Sequence, residues 1–334
     1  GWFWLLAAVA IIAALKTPLA HSELGATRWI KLGPVSFQAA EPIKAAIIIF
    51  FAYYVSYWGL NRWYNQLLAC LLAIALLGFL FFFSNNLSTV IVLFCICAVI
   101  ILSSVKKPDL YWYFLLGLAL IIIAAIFVTV YLLMHQGAEN FRFVRIRAWL
   151  HPEEYAADEG LQAMQARYAI GAGGFWGKGL GQSLIKFKLS YSYNDFILAI
   201  ICEELGVFGV IVMMTLFGYL LYRIYKIAQN AWDIEGKVLA IGVFTQIALQ
   251  LLINVMVVTS VIPTTGVTLP FFSAGGTSVV FLLAELGMVL NVDKYAKERR
   301  FFEEAERHVA QMEQRGGIGA AGWRRRLDSA RTRR

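Results

Sequence analysis

Three carboxylates around one helix entrance are the residues best placed to do chemistry. Asp195 stands at the mouth of the apolar run Phe196–Ile201, and Glu203 and Glu204 follow about two turns further in. An acid at the rim of an apolar helix can take a proton as a general base, hold a cation, or cap the helix. Cap and base are compatible roles, and the residues alone do not choose between them. Leu198 stands where a capping box would need its acid, so any cap here is an ordinary one. Glu203 and Glu204 are costly in an apolar helix unless they are protonated, paired with a cation or hydrogen-bonded. They are read first as support for a neighbouring loop. Glu41 and Lys44, at i and i+3, can form an internal ion pair. Glu285 is a further acid in an apolar run and is expected to bond a neighbouring helix. Gln246, Gln250 and Asn254 share one helix face, either as interhelical glue or as the lining of a cavity.

The elements that must position these groups follow from composition. The chain has 334 residues, 60% of them hydrophobic and only 15% charged, against roughly 25% charged in a soluble protein. Its apolar runs approach or exceed the ~17–25 residues that cross a bilayer. The expected fold is therefore all-α, a polytopic transmembrane bundle of about eight spans, near 2–15, 41–58, 66–83, 87–104, 111–134, 195–226, 237–260 and 277–293. The net charge of +8 does not indicate nucleic acid, because 12 of the 29 Lys and Arg lie after Asp293 and most others sit between spans. With Arg62, Lys106-Lys107, Arg223 and Lys226 on the cytoplasmic side, the spans alternate without conflict. Asp195 and the 135–194 and 261–276 connections then face outward, and the C-terminus is cytoplasmic. Cys70, Cys95, Cys97 and Cys202 all lie in apolar runs, and the four His have no ligand spacing.

Two outward connections are unusual. The loop 135–194 carries seven basic and five acidic residues and the glycine-rich run Gly171–Gly179. That run fails the Walker pattern at Ala172 and Gly179. It is either a close-packed re-entrant turn or a backbone site for a phosphate-bearing head group. The stretch Pro263–Ser278 puts two prolines and three glycines in an apolar context, which is broken backbone near membrane depth. Such backbone must be buried in protein or line a wet cavity. A membrane domain over 1–293 is expected to be followed by a cytoplasmic tail over 294–334. In that tail Tyr295, Phe301, Phe302, Ala305, Val309 and Met312 recur at amphipathic helical spacing before an Arg-rich end.

Taken together and in order, several stretches resemble the SEDS family (shape, elongation, division and sporulation), whose members include FtsW, RodA and SpoVE. They are Gly25–Ile30, Phe37-Gln38 with Glu41 and Lys44, Gly177–Gly181, Asn194–Ile197, Glu203–Gly206 and Pro263–Ser278. The details Ala274–Thr277 and Leu283–Glu285 look closer to the division and sporulation branch. The chain departs from the family at Asn85–Thr89, where a Gln-Pro-Asp-x-Gly-Thr stretch is usual, and at Ser190–Asn194, where a Pro-Glu-x-x-Thr-like run is common. It also shows about two helices fewer than the family's ten, all missing from the start.

The resemblance implies a peptidoglycan glycosyltransferase that polymerises lipid II at the outer face of the bacterial cytoplasmic membrane. The family's essential aspartate falls on Asp195, which would accept the proton of an attacking sugar hydroxyl. Substrate contacts would come from Arg28, Trp29, Glu41, Lys44, Lys178 and Lys186, with Pro263, Thr264, Gly266, Ser273, Gly275, Gly276 and Ser278 of the outer loop. Arg28, Lys44, Lys178 and Lys186 are the cations expected to face the diphosphate leaving group. Glu203, Glu204, Asn254 and Glu285 would support the site. A divalent cation, Mg or Mn, is compatible with Asp195, although one carboxylate is a thin cage for it. The implied partners are lipid II, undecaprenyl-diphosphate-linked glycan, a class B penicillin-binding transpeptidase and other division or elongation proteins. An ion-coupled carrier or lipid-precursor flippase also fits broken backbone and intramembrane acids. A non-catalytic scaffold for division proteins is the third class.

Overall fold

The computed structural model describes residues 1–17, 20–23, 26–32, 35–84, 86–105, 141–155, 159–184, 195–314 and 322–325. The apolar runs form the expected helices. They are α1 (Trp2–Ala14), α2 (Ala40–Trp58), α3 (Trp63–Ser84) and α4 (Leu87–Ser104), then α5 (Phe141–Leu150) and α6 (Glu159–Gly173), and finally α7 (Ile197–Asn230), α8 (Ile234–Val258) and α9 (Gly276–Gln314). Among the described residues, α3, α4, α7, α8 and α9 are long and apolar enough to cross a membrane. The chain is a multi-pass membrane protein. Helix α1 has 13 residues, and α2 has 19 with Glu41 and Lys44 in its first two turns. The span expected at 111–134, the Lys106-Lys107 pair and Lys186 lie outside the described residues.

Helix α8 is the centre of the bundle and packs against α2, α4, α7 and α9. Its start is capped by Asp233, whose side chain accepts from Gly236 N–H at 3.3 Å. Helix α4 begins at Asn86, whose side chain accepts from Thr89 N–H at 3.3 Å. Next to it, Ser88 Oγ donates to the Thr265 carbonyl at 2.7 Å. The stretch that departs from the family pattern thus caps a helix and ties down the outer loop.

Two features differ from expectation. The first connection is not a plain loop. It carries an antiparallel three-stranded sheet in the order β1 (Ala20–Glu23), β2 (Ala26–Leu32), β3 (Val35–Gln38). The pairing sets Trp29 opposite Gln38 and Ile30 opposite Phe37, so the Arg28-Trp29 backbone runs beside the entry to α2. The second difference is at the C-terminal end. Helix α9 runs unbroken through Asp293 for 39 residues, about 58 Å at 1.5 Å per residue. That is nearly twice a ~30 Å hydrocarbon core, so its charged second half projects beyond the bilayer as a continuation of the span.

Candidate active site

The end of the bundle where α7 starts is built around a break in that helix. Gly206 has φ 67° and ψ −169° inside the helix, a conformation open to glycine and strained for other residues. A break of this kind leaves carbonyls before it and N–H groups after it without intrahelical partners, and two of each find partners outside the helix. The glycine-rich turn supplies all four. Lys178 N–H donates to the Glu203 carbonyl at 2.9 Å and Gly179 N–H to the Glu204 carbonyl at 3.0 Å. Val207 N–H and Phe208 N–H donate to the carbonyls of Gly174 and Phe175 at 3.0 and 3.1 Å. Gly177 N–H bonds the Gly173 carbonyl at 2.9 Å. These amides are engaged within the protein, so the close-packed turn is what forms and a phosphate cradle at Gly177–Gly179 is not.

Side chains lock the same junction. Glu203 is fully buried and receives Lys178 Nζ at 2.7 Å, Ser183 Oγ at 2.5 Å and Leu184 N–H at 3.3 Å. Glu203 therefore does hold a loop in place. Lys178, expected to face substrate, is committed to this pair at 31% exposure. Glu204 lies beside it, with Oε1 buried and lacking a hydrogen-bond donor among the described residues. Lys178→Met would strand the Glu203 carboxylate. We expect a loss of about 2–3 kcal/mol, below the value for fully buried pairs because Lys178 is partly solvated, read by thermal unfolding in detergent.

Asp195 lines a cavity of about 70 Å³ at the end of the bundle where α2, α7 and α9 start, closed by the loop before α9. Its walls include Gln38 at the end of β3, Glu41 at the start of α2, Arg145 of α5, Gln162 of α6 and Gln250 of α8. The outer loop adds Thr264, Gly266 and Ser273, and Ser278 comes from the first turn of α9. The N-cap of α7 is Phe196, with no side-chain cap bond there, so the cap position falls one residue past Asp195.

Asn254 positions this wall. Its Nδ2 donates to the Asp195 carbonyl and to the Val267 carbonyl, both at 2.9 Å. One fully buried amide thus joins the start of α7, the outer loop and α8. The loop is closed further by Leu269 N–H to Ser273 Oγ at 2.7 Å and Ser273 N–H to the Leu269 carbonyl at 3.1 Å. Asn254→Ala would orphan two buried carbonyls. The expected cost is about 2–4 kcal/mol, with slower turnover because Asp195 loses its register.

The three amides of α8 divide their work. Asn254 clamps, Gln250 lines the cavity, and Gln246 Nε2 donates to Glu285 Oε2 at 2.8 Å. Lys44 Nζ lies 2.9 Å from both carboxylate oxygens of Glu41, so the i, i+3 pair forms. Lys44 stands behind Glu41 and does not line the cavity. Pro263, Gly275 and Gly276 are likewise off its wall, and Gly276 begins α9. The side chains of Arg28 and Trp29, and all of Lys186, lie outside the described residues. Sequence reading did not single out Arg145 or Gln162. The only trace of Arg145 was the basic run Arg142, Arg145, Arg147, and nothing marked Gln162.

The residues around the cavity fit a divalent cation by donor type. Two carboxylates, Asp195 and Glu41, and the buried Gln250 Oε1, which has no donor among the described residues, offer the hard oxygens that Mg²⁺-class ions take. Among the described residues there is no cluster of three or more His, Cys, Asp or Glu.

The model of the FtsW/RodA/SpoVE family, described as cell cycle protein, matches residues 2–298. The chain belongs to this family. It is 32% identical over 290 residues to the probable peptidoglycan glycosyltransferase FtsW of Trichlorobacter lovleyi, covering 85% of this chain and 73% of that protein. It is 45% identical over 158 residues to stage V sporulation protein E of Bacillus subtilis, covering 47% and 43%. The fold is similar to a chain solved in a study of the structural coordination of polymerization and crosslinking by a peptidoglycan synthase complex. There the TM-score is 0.70 at 24% identity, over 88% of this chain and 80% of that one. It is also similar to the rod shape determining protein RodA of Thermus thermophilus, with TM-score 0.60 at 23% identity over 88% and 77%. The FtsW/SpoVE-like character expected from Ala274–Thr277 and Leu283–Glu285 agrees with these relatives.

Proposed function

We propose that this FtsW/RodA/SpoVE family member is a peptidoglycan glycosyltransferase that polymerises lipid II, with Asp195 as its general base. The observation that carries the reading is Asp195 on the wall of a polar cavity, held in register through its carbonyl by Asn254. Its FtsW relatives carry the name probable peptidoglycan glycosyltransferase. A cavity of about 70 Å³ is far below the ~300–1,000 Å³ of a pocket that swallows a whole ligand. It admits a reacting hydroxyl and the groups around it, while sugars and lipid lie along its mouth.

In this mechanism Asp195 takes the proton from the acceptor sugar hydroxyl as that oxygen attacks the anomeric carbon of the lipid-linked donor. The glycosidic C–O bond to the diphosphate breaks as the new one forms, and undecaprenyl diphosphate leaves. Arg145, on the same wall, is the guanidinium best placed to meet the charge that develops on the leaving group. Lys44 acts one step back, by holding Glu41. A divalent cation held by Asp195 and Glu41 would neutralise diphosphate charge. With Arg62, Arg223 and Lys226 at the cytoplasmic ends, the cavity faces outward across the cytoplasmic membrane and α9 ends in the cytoplasm. A class B penicillin-binding transpeptidase is the expected partner, supported by the likeness to a chain from a synthase complex that couples polymerisation and crosslinking.

The test is purified protein in detergent with lipid II, read as glycan polymer on a gel. Detergent removes sidedness, so a flippase would yield no polymer there. Polymer formation supports the enzyme. Lipid II binding without polymer would reject it in favour of transport or scaffolding.

A further inference from the structure

Helix α8 ends on a residue whose conformation would suit glycine better. Ser260 has φ 60°, and its N–H donates to the Val257 carbonyl at 2.9 Å. Val261 N–H reaches back to the Met256 carbonyl at 2.8 Å. This pair of bonds defines a helix ending whose left-handed residue is ordinarily glycine, because a Cβ is strained there. Serine adds a hydroxyl in return, and the hydroxyl is used. Arg167 Nε donates to Ser260 Oγ at 2.9 Å. The left-handed turn also frees the Ser260 carbonyl from the helix, and Trp149 Nε1 donates to it at 2.8 Å.

The two donors come from the two short helices that complete the cavity. Trp149 follows Arg145 by four residues on α5, which puts both on one helix face. Arg167 follows Gln162 by five residues on α6. Arg145 and Gln162 are what α5 and α6 contribute to the wall that Asp195 lines. Helix α5 packs on α6, and α6 on α7. Ser260 ties both short helices to the end of α8 as well. Six residues earlier on α8, Asn254 holds the Asp195 carbonyl at 2.9 Å. The last turns of α8 therefore set the base and the α5–α6 side of the cavity from one element.

We propose that Ser260 is a positioning residue for the cavity: it offers one acceptor to each of α5 and α6 and so keeps Arg145 and Gln162 on the wall they share with Asp195. It acts through Trp149 and Arg167 without touching substrate. Its effect on turnover rests on the polymerase reading; the tie itself does not. Strain at the helix end and order in the cavity wall are thereby linked, so relieving the first should loosen the second.

Variants of the full chain in detergent test this. Ser260→Gly keeps the carbonyl and eases the left-handed backbone while removing Oγ, so its unfolding temperature should equal or exceed that of wild type. Backbone amides of 159–173 should nonetheless exchange hydrogen about fivefold faster, because α6 has lost a tie. Trp149→Phe, which keeps a ring and removes the N–H, should do the same to 141–150. In the lipid II assay Ser260→Gly should lose about five- to tenfold in rate at saturating substrate. Ser260→Asn tolerates the left-handed conformation and carries an acceptor oxygen, so it should return exchange and rate to within about twofold of wild type. Arg167→Met should match Ser260→Gly, and the double variant should be no worse than either, since both remove one bond. Unchanged exchange in Ser260→Gly would overturn the tie, whether or not the protein polymerises anything. Faster exchange at wild-type polymerisation rate, or losses that add in the double variant, would overturn its part in the cavity. If wild type itself made no polymer, the polymerase reading would fall and the exchange results alone would decide the tie.

Discussion

Asp195→Asn should cut lipid II polymerisation by about 10²–10⁴-fold, the usual worth of a positioned general base, while leaving the protein folded. Both halves follow from geometry. Asp195 lines the cavity, and its backbone carbonyl is held by Asn254 Nδ2 at 2.9 Å. Asparagine keeps that carbonyl and the shape of the side chain. Helix α7 does not depend on Asp195 as a cap, because Phe196 occupies the N-cap without a side-chain bond. What the amide cannot do is accept and hold a proton at the pH of the reaction. The measurement is initial polymerisation rate for both proteins beside their thermal unfolding in the same detergent. Wild-type polymerisation by Asp195→Asn would remove Asp195 from the chemistry.

Gly206→Ala is expected to be among the most damaging single changes, at more than about 4 kcal/mol, and to leave little monodisperse protein. Gly206 sits at φ 67°, and a Cβ there would overlap the Gly177 nitrogen and the Phe175 carbonyl oxygen. These are backbone atoms of the turn that satisfies the broken helix, so they cannot rotate out of the way. Gly177→Ala should behave alike, because its own Cβ would meet the Glu204 carbonyl from the other side of the same contact. Gly218 is the control. It lies in the same helix, a methyl group added to it would have nothing within 4 Å, and Gly218→Ala should be tolerated. Size-exclusion profiles and unfolding temperatures of the three variants decide the matter. A Gly206→Ala protein as stable as wild type would mean the break in α7 is dispensable.

Much of the site was legible because its signals are local. A carboxylate before an apolar run, an acid and a lysine three apart, and amides four apart each declare a helix end, a pair or a face without reference to the rest of the chain. That is why Glu41 and Lys44 form the expected pair and why Gln250 reaches the cavity. The partner of Lys178 was not legible, because a cation beside glycines looks the same from sequence whether it meets a phosphate or Glu203, twenty-five residues on. Arg145 and Gln162 were missed because they sit on short helices within a connection, where no periodic pattern says which residue turns toward α7.

What the amino-acid order determined unaided was the solvent this chain lives in, where its apolar helices begin, and the acid around which its chemistry is read. Each rests on hydropathy or on spacing within one helix, which neighbours in sequence suffice to define. Only the tertiary structure decided that the glycine-rich turn repairs a broken helix, that Asn254 fixes Asp195 through its carbonyl, and that Lys44 serves Glu41 from behind. The first two are contacts between segments far apart in the chain, and the third depends on which face of α2 meets the cavity. They form because buried backbone and buried charge must find partners, and which partners come within reach depends on how the helices pack.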